Sequence, residues 1–462
     1  MRAPLVCSLG VLVACGGADP APHTHPFWSD GEHLRDDAGR IAILRGVNAR
    51  VQGVFDVTFA DGRVALEPIP ALTTADCARM RAMGLDLLRL PINWSGVEPT
   101  EGSYDQAYLD RVDAAIQCAG SAGIGVVVDL HQDAYSKEIG EDGAPLWAIK
   151  PAPTMLLQGP LTDLGDRRLS AQVQSAFETF FADGDPGGLR MRFNAMLTAV
   201  ATRWADDPAV IGFELFNEPD TSGVKLTAFH VEAAATVRAA APDKLVFFES
   251  PSVRNIADFV PESKEPFPVD GAVYSPHVYT YVFQSNPDLI NNLVAEQLEP
   301  SVMGTRSEAT AWRTPLFIGE FGIGPGDAKH DLWMQTEQQL HDRYLASNAF
   351  WVWKEQSQGS WGVYDYDATG DTWTERPQVV AWISRVHAAR IAGTPIANES
   401  SPAGDSLRLE VKGASAPHSI YIPERFAATT TARCDGAALP ITRDAATGLA
   451  ELTCSGVLEV GP

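Results

Sequence analysis

Two short apolar runs each end in a glutamate: Phe213-Glu214-Leu215-Phe216-Asn217-Glu218-Pro219 and Phe317-Ile318-Gly319-Glu320-Phe321-Gly322. Paired carboxyls can divide the work on one bond, one protonating a leaving oxygen while the other attacks the neighbouring carbon. Cleaving a glycosidic bond with retention needs such a pair about 5 Å apart across the sugar. Either glutamate alone reads equally well as a structural ion-pair residue. Their matching placement, at the tips of two similar runs, points to Glu218 and Glu320 as one catalytic pair. Other groups able to do chemistry stand at similar tips: Arg89 in LRLPINW, His131 and Asp133 in DLHQD, Asn217 beside Glu218, His277 and Tyr279 in SPHVY, and Trp353 in FWVWKEQ.

The elements that must position these residues are read from the alternation of short aliphatic runs with helix-length segments between Ile41 and Lys354. The runs are Ile43 to Asn48, Leu85 to Leu90, Gly125 to Leu130, Val210 to Phe216, Lys244 to Glu249, Ala272 to Pro276, Leu316 to Glu320 and Ala349 to Lys354. Eight parallel strands with intervening helices predict a (β/α)8 barrel of α/β class, whose fourth and seventh strands face each other across the mouth. A doubly wound sheet is the rival, but no glycine-rich phosphate turn follows the first run. A hairpin over DGEHLRDDAGRIAIL is expected to plug the barrel bottom. Beyond Ile391 alternating segments such as SLRLEVKG and HSIYIPE predict a small all-β, sandwich-like domain. The expected division is 1–14 leader, 15–26 spacer, 27–390 catalytic barrel and 391–462 β domain.

The motifs LRLPINW, DLHQD, LFNEP, SPHVY, IGEFG and FWVWKEQ resemble glycoside hydrolase family 5, and RGVNAR, DLHQDAYS and WKEQ are most similar to its endoglycoceramidase branch, including endogalactosylceramidase relatives. The resemblance implies Glu218 as acid/base and Glu320 as nucleophile. Arg89 is then expected to hold Glu320 ionised, and repulsion between the two carboxyls to keep Glu218 protonated. Asn217 suits the sugar 2-hydroxyl, Tyr279 a hydrogen bond to the nucleophile, and His131 and His277 the orientation of polar groups. Asp133, two residues from His131 and so on the same side of an extended segment, is expected to bind a sugar hydroxyl. Parity on the eighth strand makes Trp353 the sugar-stacking platform and Trp351 barrel filling. Arg50, Lys354 and Glu355 are candidates to reach outer sugars. His131 and Asp133 lack an obvious third metal ligand, and retaining chemistry needs no cofactor.

The chain carries 35 basic and 59 acidic residues, a net charge of −24, so it has no footprint for neutralising nucleic-acid phosphates. The stretch Met1 to Ala14, apolar from Leu5, is too short to span a bilayer and reads as a signal peptide. Leu12-Val13-Ala14-Cys15 resembles a lipobox that would acylate Cys15; plain secretion is the alternative. Either way the body is exported, where Cys77 with Cys118, and Cys434 with Cys454, are expected to form disulfides. Two long connections, Gln132 to Asp185 and Tyr279 to Trp312, carry Leu146, Trp147, Ile149, Met155, Leu156, Leu157, Val282, Phe283, Leu289 and Ile290. Such side chains around a barrel mouth suit a ceramide tail or a membrane surface. The expected substrate is therefore a glycosphingolipid. A secreted β-glucanase, mannanase or β-glucosidase, or a noncatalytic glycan-binding lipoprotein, remain alternatives.

Overall fold

The computed structural model describes residues 26–221, 223–257, 266–283, 286–356 and 361–462. The leader, Cys15 and all of the expected spacer except Pro26 lie outside the described residues. After three short strands, β1 (Phe27–Ser29), β2 (Leu34–Asp36) and β3 (Ile41–Ala42), the chain enters a parallel sheet. Its strands are β4 (Arg45–Asn48), β5 (Leu87–Ile92), β6 (Gly125–Leu130), β7 (Val210–Glu214), β8 (Leu245–Phe248), β9 (Ala272–Tyr274), β10 (His277–Val278), β11 (Phe317–Phe321) and β12 (Ser347–Phe350). The pairing runs β10-β11-β12-β4-β5-β6-β7-β8-β9. β9 and β10 are two pieces of one strand: β9 bonds to β8, β10 bonds to β11, and Tyr274 bridges to Leu316. The circuit is thus a closed barrel of eight strands in space, one for each run read from the sequence. Residues throughout these strands are buried, because helices cover the outside and side chains fill the inside.

Local chemistry sets the helix ends. Thr73 and Asp76 form a reciprocal capping box at the start of helix Thr74–Ala82, satisfying amides that have no partner in the first turn. Disulfide Cys77–Cys118 ties this helix to its neighbour Gln106–Ser121. The long third connection is anchored by helix Ala171–Phe180, whose Phe180 packs on Phe181 and Phe216 with ring centroids 5.0 Å and 5.5 Å apart.

The barrel floor is plugged as expected. Leu34, Ala42 and Leu44 pack against the inward-facing Leu87, Val127, Ile211, Leu245, Phe247, Val273, Phe317 and Ala349. Beyond the barrel come a hairpin, β13 (Tyr364–Asp367) and β14 (Thr372–Glu375), and then β15 (His387–Ile391), β16 (Thr394–Ser400), β17 (Leu407–Lys412), β18 (His418–Tyr421), β19 (Thr431–Cys434), β20 (Ala437–Leu439), β21 (Leu449–Leu452) and β22 (Val457–Gly461). They form two antiparallel sheets, β1-β2-β3-β15-β18-β21 and β16-β17-β22-β19-β20. Ile41, Val386, Leu409, Val411, Ile420, Leu458 and Val460 belong to their shared core. One sheet therefore draws strands from both ends of the chain, and β15 runs across the 390/391 position. Cys434–Cys454 closes this β unit. No helix among the described residues is long and apolar enough to cross a membrane.

Candidate active site

At the C-terminal ends of the barrel strands, Arg89 of β5 is fully buried and fans its guanidinium across six neighbours. Nε donates to Glu214 Oε2 at 2.6 Å, Nη1 to Asn48 Oδ1 at 3.0 Å and to Glu320 Oε1 at 2.7 Å, and Nη2 to Asn217 Oδ1 at 2.7 Å. Asp129 Oδ2 lies 3.0 Å from Nη2 and Glu249 Oε1 3.4 Å. Burial lowers the proton affinity of a guanidinium, but the surrounding carboxylates outweigh it and hold Arg89 charged. One cation thus serves four acids and also fixes Asn217 beside the acid/base candidate.

Glu218 lies just beyond β7 with φ 44°, a left-handed conformation unusual for a side-chain-bearing residue and characteristic of functional positions. Its main-chain N–H donates to Glu249 Oε2 at 3.0 Å. Its Oε1 accepts from Asn255 Nδ2 at 2.6 Å and sits 2.9 Å from His277 Nδ1. Glu320, on β11, accepts from the Tyr279 hydroxyl at 2.9 Å. Ligating atoms of Glu218, His277 and Glu320 all lie within 4.8 Å of one another, which matches the short carboxyl separation of retention and not the wider gap of about 6.5–9.5 Å that inversion requires. Burial pushes the Glu320 carboxyl well above its ordinary range; Arg89 and the Tyr279 hydroxyl pull it down, and the charge of Glu218 adds to the rise. His131 is held neutral, its pKa drawn down to about 3 by burial and by Arg89. Its Nδ1 lies 2.5 Å from Asp129 Oδ2, and burial pushes that carboxyl up to about 7 against the pull of Arg89.

These groups line a cavity of about 600 Å³. Trp351 and Phe55 stand on one side, and Tyr279, Phe283 and Trp361 form an aromatic wall on another, with Phe283 stacked on Trp361 at 5.5 Å. A larger hollow, about 820 Å³, lies at the opposite end between the strand N-termini and the β unit, away from the paired carboxyls. A model of the cellulases, glycosyl hydrolase family 5, matches residues 58–357. The chain belongs to glycosyl hydrolase family 5. Among similar proteins, endoglycoceramidase I of Rhodococcus hoagii is 27% identical over 331 residues, 66% of this chain and 64% of that protein. The glucosylceramidase of Rhizopus delemar is 24% identical over 341 residues, 58% of this chain and 49% of that one. The matches therefore span less than two thirds of either relative. A crystal structure of an endogalactoceramidase shares the fold, with a TM-score of 0.77 at 22% identity over 95% of this chain and 99% of that one.

Within this family 5 barrel, the structure brings Arg89, His131, Asp133, Asn217, Glu218, His277, Tyr279 and Glu320 to one mouth. Trp353 is not among them. It is buried, and its Nε1 donates to Asp76 Oδ1 at 3.0 Å, whereas Trp351 faces the cavity and lies parallel to His131 at 5.9 Å. The parity argument fails because β12 ends at Phe350, so residues 351–353 no longer alternate as a strand. Asp133 lines the cavity but is engaged by Arg168, whose Nε donates to its Oδ1 at 2.6 Å; a second Arg168 nitrogen lies 3.6 Å from Glu218 Oε2. Arg50 does not reach outward: it is buried among Glu67, Glu141 and Glu355, with Glu67 at 2.6 Å and Glu355 at 2.9 Å. Lys354 is likewise engaged, 2.6 Å from Asp76.

Of the apolar loop residues, Ile149 is buried, Trp147 packs on Trp94, and Leu157 packs against the cluster of Phe55, Val57 and Leu66. Leu146, Met155, Leu156, Phe283 and Leu289 are exposed. Sequence reasoning missed Arg168, Asn255 and the exposed Leu169, Val253 and Ile256 at the cavity, and Glu249 behind Glu218. Their only sequence signal is position: each follows the C-terminal end of a barrel strand, in a connection without a distinctive motif.

Proposed function

We propose that this protein hydrolyses, with retention, the β-glycosidic bond between a glycan and a ceramide-like lipid. The observation that carries the reading is the carboxyl pair within 4.8 Å at the base of a cavity that also exposes Leu169, Val253, Ile256 and Phe283. Glu218 gives its proton to the glycosidic oxygen while Glu320 attacks the anomeric carbon, forming a glycosyl-enzyme and releasing the lipid alcohol. Glu218 then takes a proton from water, whose oxygen attacks the same carbon and frees Glu320. The Arg89 guanidinium at 2.7 Å and the Tyr279 hydroxyl at 2.9 Å favour the carboxylate form of Glu320 that the attack uses. Asn217, fixed by Arg89 and by its Nδ2 bond to Gln132 O at 3.0 Å, is placed to meet the 2-hydroxyl. The neutral His131 and Trp351 form a flat surface suited to a sugar face.

The names of the similar proteins, endoglycoceramidase and glucosylceramidase, support a glycosylated ceramide as the substrate class. The two disulfides support export to an oxidising compartment, and acylation of Cys15 would hold the enzyme at a membrane face. The test is product analysis by mass spectrometry on a panel of glucosyl- and galactosyl-linked ceramides: free ceramide plus intact glycan is expected. Cleavage of cellooligosaccharides or mannan without ceramide release would overturn the lipid assignment.

A further inference from the structure

Glu249, immediately after β8, is used by none of the steps above, yet Oε2 is committed to the acid/base, and Oε1, which accepts from Arg89 Nη2 at 3.4 Å, also faces the histidine beside it. Oε2 accepts the Glu218 main-chain N–H at 3.0 Å. Oε1 lies 3.4 Å from His277 Nε2, while the opposite ring nitrogen, Nδ1, lies 2.9 Å from Glu218 Oε1. The imidazole therefore stands between two carboxyls, and its buried Nε2 makes no hydrogen bond among the described residues, with Glu249 Oε1 3.4 Å away. We propose that Glu249 is a positioning residue and proton store for Glu218, acting through the main-chain amide and the His277 ring. This inference rests on the acid/base role proposed above for Glu218.

A neutral imidazole has one N–H and one bare nitrogen, so two arrangements carry the same single proton. With the proton on Glu218, the ring N–H is on Nε2 toward an ionised Glu249. With the proton on Glu249, the ring N–H is on Nδ1 toward an ionised Glu218. They interconvert when the protonated carboxyl gives its proton to the near ring nitrogen while the far nitrogen gives its own to the other carboxyl, leaving net charge unchanged. The groups facing Glu249 are Arg89 from β5, Asp129 from β6, Glu214 from β7, Glu218, and His277 from β10; His230 of helix Gly223–Ala240 lines the small cavity on its other side. Arg168, Asn255 and Glu320 complete the surroundings of Glu218. Burial holds His277 and His230 neutral, which leaves Arg89 as the one cation facing Glu249 among the described residues. Arg89 is shared with three other acids, so its charge alone does not hold Glu249 ionised.

The test compares Glu249→Gln with the natural protein on ceramide β-glycosides and on 2,4-dinitrophenyl β-glycosides of the same sugars, lactose and galactose. Gln keeps an acceptor for the Glu218 amide but stores no proton. The alkaline limb of kcat/KM on the ceramide glycosides should move down by about one pH unit, with about a tenfold loss above the limb. The dinitrophenyl substrates, whose leaving group needs no proton, should be cleaved in the first step at the natural rate. Labelling of Glu320 by an activated 2-deoxy-2-fluoro glycoside should also be unchanged, which shows the fold and nucleophile intact. Glu249→Asp, which retains a carboxyl, should restore much of the limb. An unmoved limb, or an equal fall on both substrate types, would overturn the inference, as would loss of labelling in both variants. Labelling of a residue other than Glu320 would instead overturn the nucleophile assignment, leaving the Glu249 result to stand on the leaving-group comparison.

Discussion

At the scale of single residues, the roles of the carboxyl pair separate by leaving group. Glu320→Gln should lose turnover by about four orders of magnitude or more on every substrate, because no covalent step remains. Glu218→Gln should lose about 10²–10⁴-fold on ceramide glycosides, and azide should rescue its turnover of dinitrophenyl glycosides by replacing water in the second step. Steady-state rates with and without azide check both. Asp129 supplies a stability prediction. Its carboxyl rises from 3.8 unfolded to about 7 folded, so the folded state binds more protons between those values. Its contribution is full below about pH 4 and is lost as pH rises through about 7. The Tm of Asp129→Asn relative to the natural protein should therefore rise across that window, as thermal scans would show. Glu218 and Glu320 were legible because each sits in a compact motif at a strand tip. Glu249 and Asn255 were not, because what makes them matter is a contact with Glu218 from another strand's loop.

At the scale of elements, barrel strands were readable because each is a continuous apolar run flanked by helix-length sequence, and even the divided sixth strand kept that texture. The loops were less readable, since an apolar loop residue packs inward or outward according to tertiary neighbours. Trp147 packs on the barrel core and Leu157 on the cluster of Phe55, Val57 and Leu66, whereas Met155 and Phe283 stay exposed. Replacing Leu169 and Phe283 with serine should raise KM for ceramide glycosides by about two orders of magnitude or more while leaving soluble aryl glycosides within about twofold, since roughly 1.5–3 kcal/mol attends burial of each such side chain. Parallel assays on micellar and soluble substrates would show it. Trp353 was misread because strand parity was carried past the end of β12. Arg50 was misread because its partners come from three separate segments, at Glu67, Glu141 and Glu355. Arg50→Met removes the cation they share and should cost about 3–5 kcal/mol, measurable by denaturant unfolding.

At the scale of the whole molecule, the net charge of −24 conceals how much acid lies inside. Besides the catalytic cluster, Glu141, Asp142 and Glu337 are buried with their carboxyls pushed well up by desolvation. The disulfides offset some of this cost. Cys77–Cys118 and Cys434–Cys454 span 41 and 20 positions, and loop closure of those lengths contributes about 4 and about 3 kcal/mol. Double substitution of each pair with alanine should lower stability in that order, as denaturant midpoints would report. Pairing of these cysteines was legible from compartment and local context, but the sharing of one sheet between β1–β3 and β15, β18 and β21 was not, because strand order across more than 300 residues leaves no local trace.

That shared sheet also sets a timetable. Leu34, Ala42 and Leu44 seal the barrel floor, yet β3, which carries Ala42, pairs with β15, and β15 pairs in turn with β18, itself paired with β21. A chain emerging amino end first exposes its plug early and gains β15, the strand that braces it, only after more than 300 further residues. The barrel strands, complete at Phe350, all precede that brace. A chain cut before β15 keeps its plug residues but leaves the edge of β3 unpaired, so the support of the barrel floor beneath the active site depends on a strand that lies beyond the whole barrel in sequence.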